Sequence, residues 1–183
     1  MSRKIAVLVG SLRKESFSRK LAKALVPLAA PLELKFIEIG DLALYNEDSE
    51  ANPPGAWTKF RDEVRGCDGV LFVTPEYNRS VPGCLKNALD VGSRPYGKSV
   101  WSGKPALVIS NSPGALGGFG ANHHLRQSLV FLDMPVLQQP EAYISGSNKL
   151  VGEDGKFAEE SKREYFEKIL RAFGAWVEKT APK

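Results

Sequence analysis

The sequence predicts an α/β fold: a doubly wound parallel sheet of five strands in the order 2-1-3-4-5, with helices on both faces. Three observations carry this. Short apolar runs alternate about five times with segments of helical periodicity, the pattern of right-handed βαβ units. Most of the runs are apolar at every position rather than every second one, as in strands covered on both faces. The length, 183 residues, suits one such domain (residues 1–183) with a substantial core.

The first strand covers about Lys4 to Val9. After a turn rich in Ser and Arg, Phe17, Leu21, Leu25 and Leu28 recur at helical spacing, and Pro27 and Pro31 end that helix. Leu34 to Ile39 reads as a second, partly alternating strand. Gly40 to Gly55, with Asn46, Asn52, Pro53 and Pro54, reads as a loop. Trp57, Phe60 and Val64 mark the inner face of a second helix that closes near Gly66. Val70 to Val73 is a third strand, ending in Thr74-Pro75-Glu76-Tyr77-Asn78; Ser80 and Pro82 then open a third helix bearing Leu85 and Leu89. Gly92 to Gly103 is a second loop. Ala106 to Ile109 is a fourth strand, ending in Ser110-Asn111-Ser112-Pro113-Gly114, and a helix with Leu125, Leu129 and Leu132 on one face follows Gly117-Gly118. A short fifth strand begins at Val136-Leu137, and Gly152 to Gly155 is a turn. The last helix runs from about Glu159 to Lys179, with Phe166, Ile169, Leu170, Phe173, Trp176 and Val177 as its apolar stripe.

In sheets of this flavodoxin-like order, ligands sit outside the carboxyl ends of the strands, near the switch point between strands 1 and 3. Three unusual loops fall there: Ser11–Ser18, Pro75–Asn78 and Asn111–Gly118. The first gathers Ser11, Ser16 and Ser18 with Arg13 where a strand turns into a helix. A helix N-terminus offers unpaired N–H groups and the positive end of the macrodipole, hydroxyls add donors, and a guanidinium adds a charged fork. A phosphate needs these groups; serines that merely cap the helix are the competing reading. The convergence of the other two loops favours phosphate. Backbone amides of Pro75–Asn78 could bond the polar edge of a flat ligand and Tyr77 could give aromatic contact, although an ordinary Pro-led turn explains the same residues.

Bulk properties narrow the partners. Net charge is +4 and the pI near 9.0, which favours anionic ligands. No basic run is interleaved with aromatics, so nucleic acid is disfavoured. Cys67 and Cys84 form neither a disulfide framework nor a CxxC pair, which fits a reducing, cytoplasmic setting, and no stretch reaches membrane-spanning length. Walker A and GxGxxG patterns are absent, so a mononucleotide fits better than a dinucleotide held in Rossmann fashion. His123 and His124 point about 100° apart on a helix and cannot jointly hold a metal; one exposed histidine and one packed or at an interface is the expectation. Cys84 reads as a small buried residue rather than a thiol activated by a helix N-terminus. Glu76 and Asp90 are candidate acid–base groups with no visible partner. No self-sufficient catalytic constellation is present, so either the chain only binds or a cofactor carries the chemistry.

At this point the residues match a known pattern. Gly10-Ser11-Leu12-Arg13-Lys14-Glu15-Ser16-Phe17-Ser18-Arg19-Lys20-Leu21-Ala22 resembles the phosphate loop of the NAD(P)H-dependent FMN reductases, in particular their bacterial chromate/quinone reductase group. Pro75-Glu76-Tyr77-Asn78, Ser80-Val81-Pro82-Gly83 and Leu85-Lys86-Asn87-Ala88-Leu89-Asp90 resemble that family's second signature. Gly103-Lys104-Pro105, Gly114 and Gly117-Gly118 agree, and the similarity covers nearly the whole chain. The resemblance implies bound FMN, its phosphate held by Ser11, Arg13, Ser16 and Ser18 beside Phe17, its isoalloxazine contacted by Pro75, Glu76, Tyr77 and Asn78, and its other side lined by Asn111, Ser112, Gly114, Gly117 and Gly118. It also implies NADPH or NADH as hydride donor, a quinone as acceptor with oxyanions such as chromate as adventitious ones, and a homodimer or homotetramer with the flavin near the dimer interface. No catalytic side chain and no metal are expected. Two positions depart from the family: Ser18 stands where Asn is usual, with shorter reach to a phosphate, and Val91 where Trp is frequent, a change that could loosen packing near the site or the interface. The rival functions are an electron carrier of flavodoxin type, which the basic pI opposes because such carriers are strongly acidic, and a non-enzymatic nucleotide-binding regulator.

Overall fold

The computed structural model describes residues 2–182. Five strands form one parallel sheet in the order β2-β1-β3-β4-β5: β1 (Lys4–Val9), β2 (Glu33–Phe36), β3 (Gly69–Thr74), β4 (Ala106–Asn111) and β5 (Ala142–Ile144). The connecting helices are α1 (Phe17–Leu25), α2 (Gly55–Arg65), α3 (Gly83–Gly92), α4 (Phe119–Phe131) and α5 (Glu160–Thr180). The expected order and helix count are therefore met.

The pleat divides the core in two, because successive side chains point to opposite faces. Ile5, Val7, Val9, Leu71, Val73, Leu107 and Ile109 pack under α1 and α5. Ala6, Leu8, Val70, Phe72, Ala106 and Val108 pack under α2, α3 and α4. All of β3 and β4 is buried, which is why those strands are apolar at nearly every position. The α5 stripe is as expected, with Phe166, Ile169, Leu170, Phe173 and Val177 buried and Trp176 half-buried.

Two expectations are corrected. The fifth strand is displaced. Val136 makes only a single bridge to Ala106, and the paired segment is Ala142–Ile144, beside Ile109–Asn111. Gln138-Gln139-Pro140 separates the two, and a proline cannot donate to a ladder. The second strand ends at Phe36: Ile37 N still donates to Val7 O at 3.1 Å, the pairing goes no further, and Ile37 and Ile39 are buried in the core on the α2 side. Val91 is fully buried, its carbonyl accepts from Arg61 Nε at 2.9 Å, and the indole of Trp101 closes over Gly92, donating to Leu89 O at 2.9 Å.

Candidate active site

The carboxyl ends of β1, β3 and β4 bring the three predicted loops into one cleft of about 180 Å³, lined by Ser11, Arg13, Ser16, Phe17, Ser18, Pro75, Glu76, Tyr77, Asn111, Ser112 and Pro113. Ten of these are predicted residues. Pro113 was not among them; its only sequence signal was its place in the loop. Cofactor pockets usually measure about 300–1,000 Å³, so this cleft has room for only one end of such a ligand. A larger hollow of about 610 Å³, between the 93–102 loop and Phe131–Asp133, lies at the other end of α4, and none of its lining residues is buried.

The enclosed end is built for an anion. Ser11, Ser16 and Ser18 are all buried, and Arg13 stands exposed at the mouth, its guanidinium 5.3 Å from the centroid of the Phe17 ring. Ser16 caps the helix and stays compatible with the phosphate reading. Its Oγ accepts from Arg19 N at 3.1 Å as the α1 N-cap, and its hydroxyl proton remains free to donate. The N–H groups of Phe17 and Ser18, in the first turn of α1, have no intrahelical partner, and that turn holds no acidic residue. Ser18 behaves differently from its two neighbours: its hydroxyl donates to Asn111 Oδ1 at 2.7 Å, tying α1 to the end of β4. Hydroxyls, a guanidinium and uncommitted amides fit a phosphate monoester.

The rim follows from two further turns. Tyr77 N donates to Ser80 O at 3.1 Å and Ser80 N to Tyr77 O at 2.9 Å, closing a tight turn that lifts Tyr77 half out of the fold. Among the described residues no hydrogen bond uses the N–H of Glu76 or Asn78, so both remain available to a ligand. After β4, Ser112 N donates to Ile144 O at 2.9 Å, and Ser112 Oγ accepts from Gly114 N at 3.1 Å. Asn78, Gly114, Gly117 and Gly118 do not line the cleft. Gly117 and Gly118 are buried beneath the loop; a Cβ on Gly117 would stand 2.6 Å from the carbonyl carbon of Tyr143. Ser147 gave no sequence signal. It is buried below this loop, its N–H donating to Ser112 O at 3.1 Å and its hydroxyl unpartnered.

The remaining titratable candidates have structural partners. Glu76 pairs with Arg79 at 3.2 Å and Asp90 with Lys86 at 2.8 Å. Cys84 is half-buried, and burial pushes its thiol up rather than down. Both histidines are exposed on this chain, so neither is packed in its core. His123 Nε2 meets the Tyr143 hydroxyl at 2.9 Å and His124 Nδ1 meets Ser80 Oγ at 3.0 Å. No group of ligating side chains that could hold a metal occurs among the described residues, and none of their helices is long and apolar enough to cross a membrane.

Fold and cleft together define a flavodoxin-like protein whose switch point carries a cleft rich in hydroxyls and uncommitted amides. Residues 3–149 match the NADPH-dependent FMN reductase family, and the chain belongs to it. It takes FMN as cofactor and NAD(P)H as reductant. The chain is 63% identical over 175 residues to a quinone reductase of Pseudomonas putida, with 94% of each chain covered. It is 44% identical over 178 residues to a 2-hydroxy-1,4-benzoquinone reductase of a Burkholderia species, with 97% of each covered. Among solved structures it is similar to FerB, a flavoenzyme NAD(P)H:(acceptor) oxidoreductase from Paracoccus denitrificans (TM-score 0.94, 41% identity, 98% of this chain and 100% of that one).

Proposed function

We propose that the chain, acting as one domain, is an FMN-dependent NAD(P)H:quinone oxidoreductase with ping-pong kinetics. The carrying observation is the cleft itself, with its buried serines, Arg13 and free α1 amides beside an aromatic rim. The names of relatives 63% and 44% identical support the quinone as acceptor. The chemistry that bound FMN would supply is two-electron: NAD(P)H gives up a hydride and leaves as NAD(P)⁺, and a quinone takes the two electrons with two protons, one from the hydride and one from solvent.

The protein's own part is positional. Ser11, Ser16, Arg13 and the Phe17 and Ser18 amides bind the phosphate. Asn111, oriented by Ser18, and Ser112 face the ligand from the end of β4. Pro75–Tyr77 forms the wall against the ring, and the N–H groups of Glu76 and Asn78 are free to donate to its polar edge. No side chain in the cleft is required to move a proton. Chromate is an adventitious acceptor on this reading, drawn by the positive surface. The two free cysteines suit a reducing cytoplasm, and a homodimer or homotetramer is the proposed assembly.

Purified protein should be yellow or take up added FMN. It should oxidise NADPH or NADH with a quinone along parallel double-reciprocal lines. Absence of flavin uptake sinks the proposal, and flavin without NAD(P)H turnover turns it into an electron carrier.

A further inference from the structure

We infer that Glu76 is a positioning residue of the flavin site, an inference that rests on the FMN reading above. Its carboxylate fastens the Tyr77–Ser80 turn to the first turn of α4 and so fixes where the ring-contacting loop stands. Glu76 is no free acid or base. Its side chain is 12% exposed and both of its oxygens are engaged, Oε1 by Arg79 Nη1 at 3.2 Å and Oε2 by the N–H of Ala121 at 3.0 Å.

The second bond joins a strand end to a helix start 45 residues away. The N-cap of α4 is Gly118, which has no side chain to offer, so Glu76 supplies the missing acceptor from another loop. A carboxylate there faces the positive end of the helix dipole, and its bond is charge-assisted. Gly120 makes the approach possible, since a Cβ on it would stand 2.8 Å from Arg79 O and 2.9 Å from Glu76 Oε2.

The turn needs such an anchor. Asn78 and Arg79 carry φ values of 50° and 63°, left-handed for two consecutive side-chain-bearing residues. The two Tyr77–Ser80 hydrogen bonds close the turn but do not attach it to anything. The attachments are Glu76 to Ala121 and, one helical turn further on, Ser80 Oγ to His124 Nδ1 at 3.0 Å. Of these only the Glu76 bond is sheltered, because His124 is exposed.

The test compares wild type, Glu76→Ala and Glu76→Gln by amide exchange of the flavin-free protein and by titration with both FMN and riboflavin. In Glu76→Ala the Ala121 amide should exchange at least about tenfold faster, having lost its acceptor. Affinity for FMN and riboflavin should fall together, each by about tenfold or more, because the ring site is disturbed and the phosphate loop is not. Glu76→Gln keeps an oxygen for the Ala121 N–H and should recover affinity to within about threefold of wild type. Gly120→Ala, which crowds Oε2 while leaving the carboxylate in place, should repeat the joint fall should Glu76→Ala not fold.

Unchanged flavin affinity in Glu76→Ala or Gly120→Ala overturns the inference. So does a loss confined to FMN, which would make Glu76 part of the phosphate site, or a Glu76→Gln variant no better than Glu76→Ala. A wild-type chain that binds neither flavin overturns the FMN reading and this inference with it; flavin uptake indifferent to Glu76 overturns this inference alone.

Discussion

A serine hydroxyl has one proton to give, and at Ser18 it goes to Asn111 Oδ1, between two residues each 1% exposed. The bond orients the amide of Asn111 so that its N–H₂ end, for which no protein acceptor occurs among the described residues, is left for the ligand. Ser18→Ala strands a buried carbonyl oxygen, so the flavin-free protein should lose about 1–3 kcal/mol in urea denaturation. Arg13 is the opposite case. It is exposed and joins none of the ion pairs among the described residues, while its neighbour Glu15 pairs with Lys20 at 2.9 Å. Arg13→Ala should therefore leave apoprotein stability within about 0.5 kcal/mol. It should also weaken FMN binding about thirtyfold in a fluorescence titration, the loss of a charge-assisted bond of about 2 kcal/mol. Tyr143 is pushed up to about 12 by burial and by Glu141 beside it. Its folded value lies above its ordinary one, so the stability it contributes is full below about pH 10 and lost as the pH rises towards 12. Absorbance at alkaline pH should show a phenol titrating at about 12, and Tyr143→Phe should remove that step. At this scale the sequence disclosed the cluster of serines because they are close in the chain. Which serine donates where was not legible, because Asn111 lies 93 residues from Ser18.

Elements were legible where burial is two-sided. The strands β1, β3 and β4 stand where their apolar runs put them, because the burial that stabilises a central strand also writes an unbroken apolar run into its sequence. At the edges that link fails. In β2 the residues alternate between exposed and half-buried, and the pattern continues into Ile37 and Ile39, which lie beyond the paired residues and are buried in the core on the α2 side. In β5 the chain touches β4 twice, at Val136 and again at Ala142–Ile144, with a proline between, and no period survives that interruption. The loop above β5 depends on its backbone approach to that strand. Gly117 has φ 59° and no room for a Cβ against Tyr143, two separate reasons for glycine. Gly117→Ala should cost more than about 2 kcal/mol in chemical denaturation, and the loss should persist in saturating FMN because it arises below the cleft rather than in it.

At the scale of the molecule, the two-sided core holds three strand ends in register, and the loops they carry become one site only because that sheet is rigid. Stability and cofactor binding should then be linked in one direction. The loops contribute little to the core, so the flavin-free protein should unfold in a single cooperative transition without needing FMN. FMN binds the folded chain alone and should raise the midpoint by mass action. At a free concentration one hundred times Kd the gain is about 2.7 kcal/mol. For a chain of this length, that corresponds to about 5–10 °C in thermal denaturation. With Kd raised about thirtyfold, as expected for Arg13→Ala, the same FMN concentration yields only about 0.9 kcal/mol, or about 2–3 °C. The two flavin-free proteins should melt together and separate only as FMN is added. If Arg13→Ala melts early without flavin, the loop is part of what holds the fold. If it gains the full FMN shift, the phosphate is held by the hydroxyls and amides of the cleft without the guanidinium.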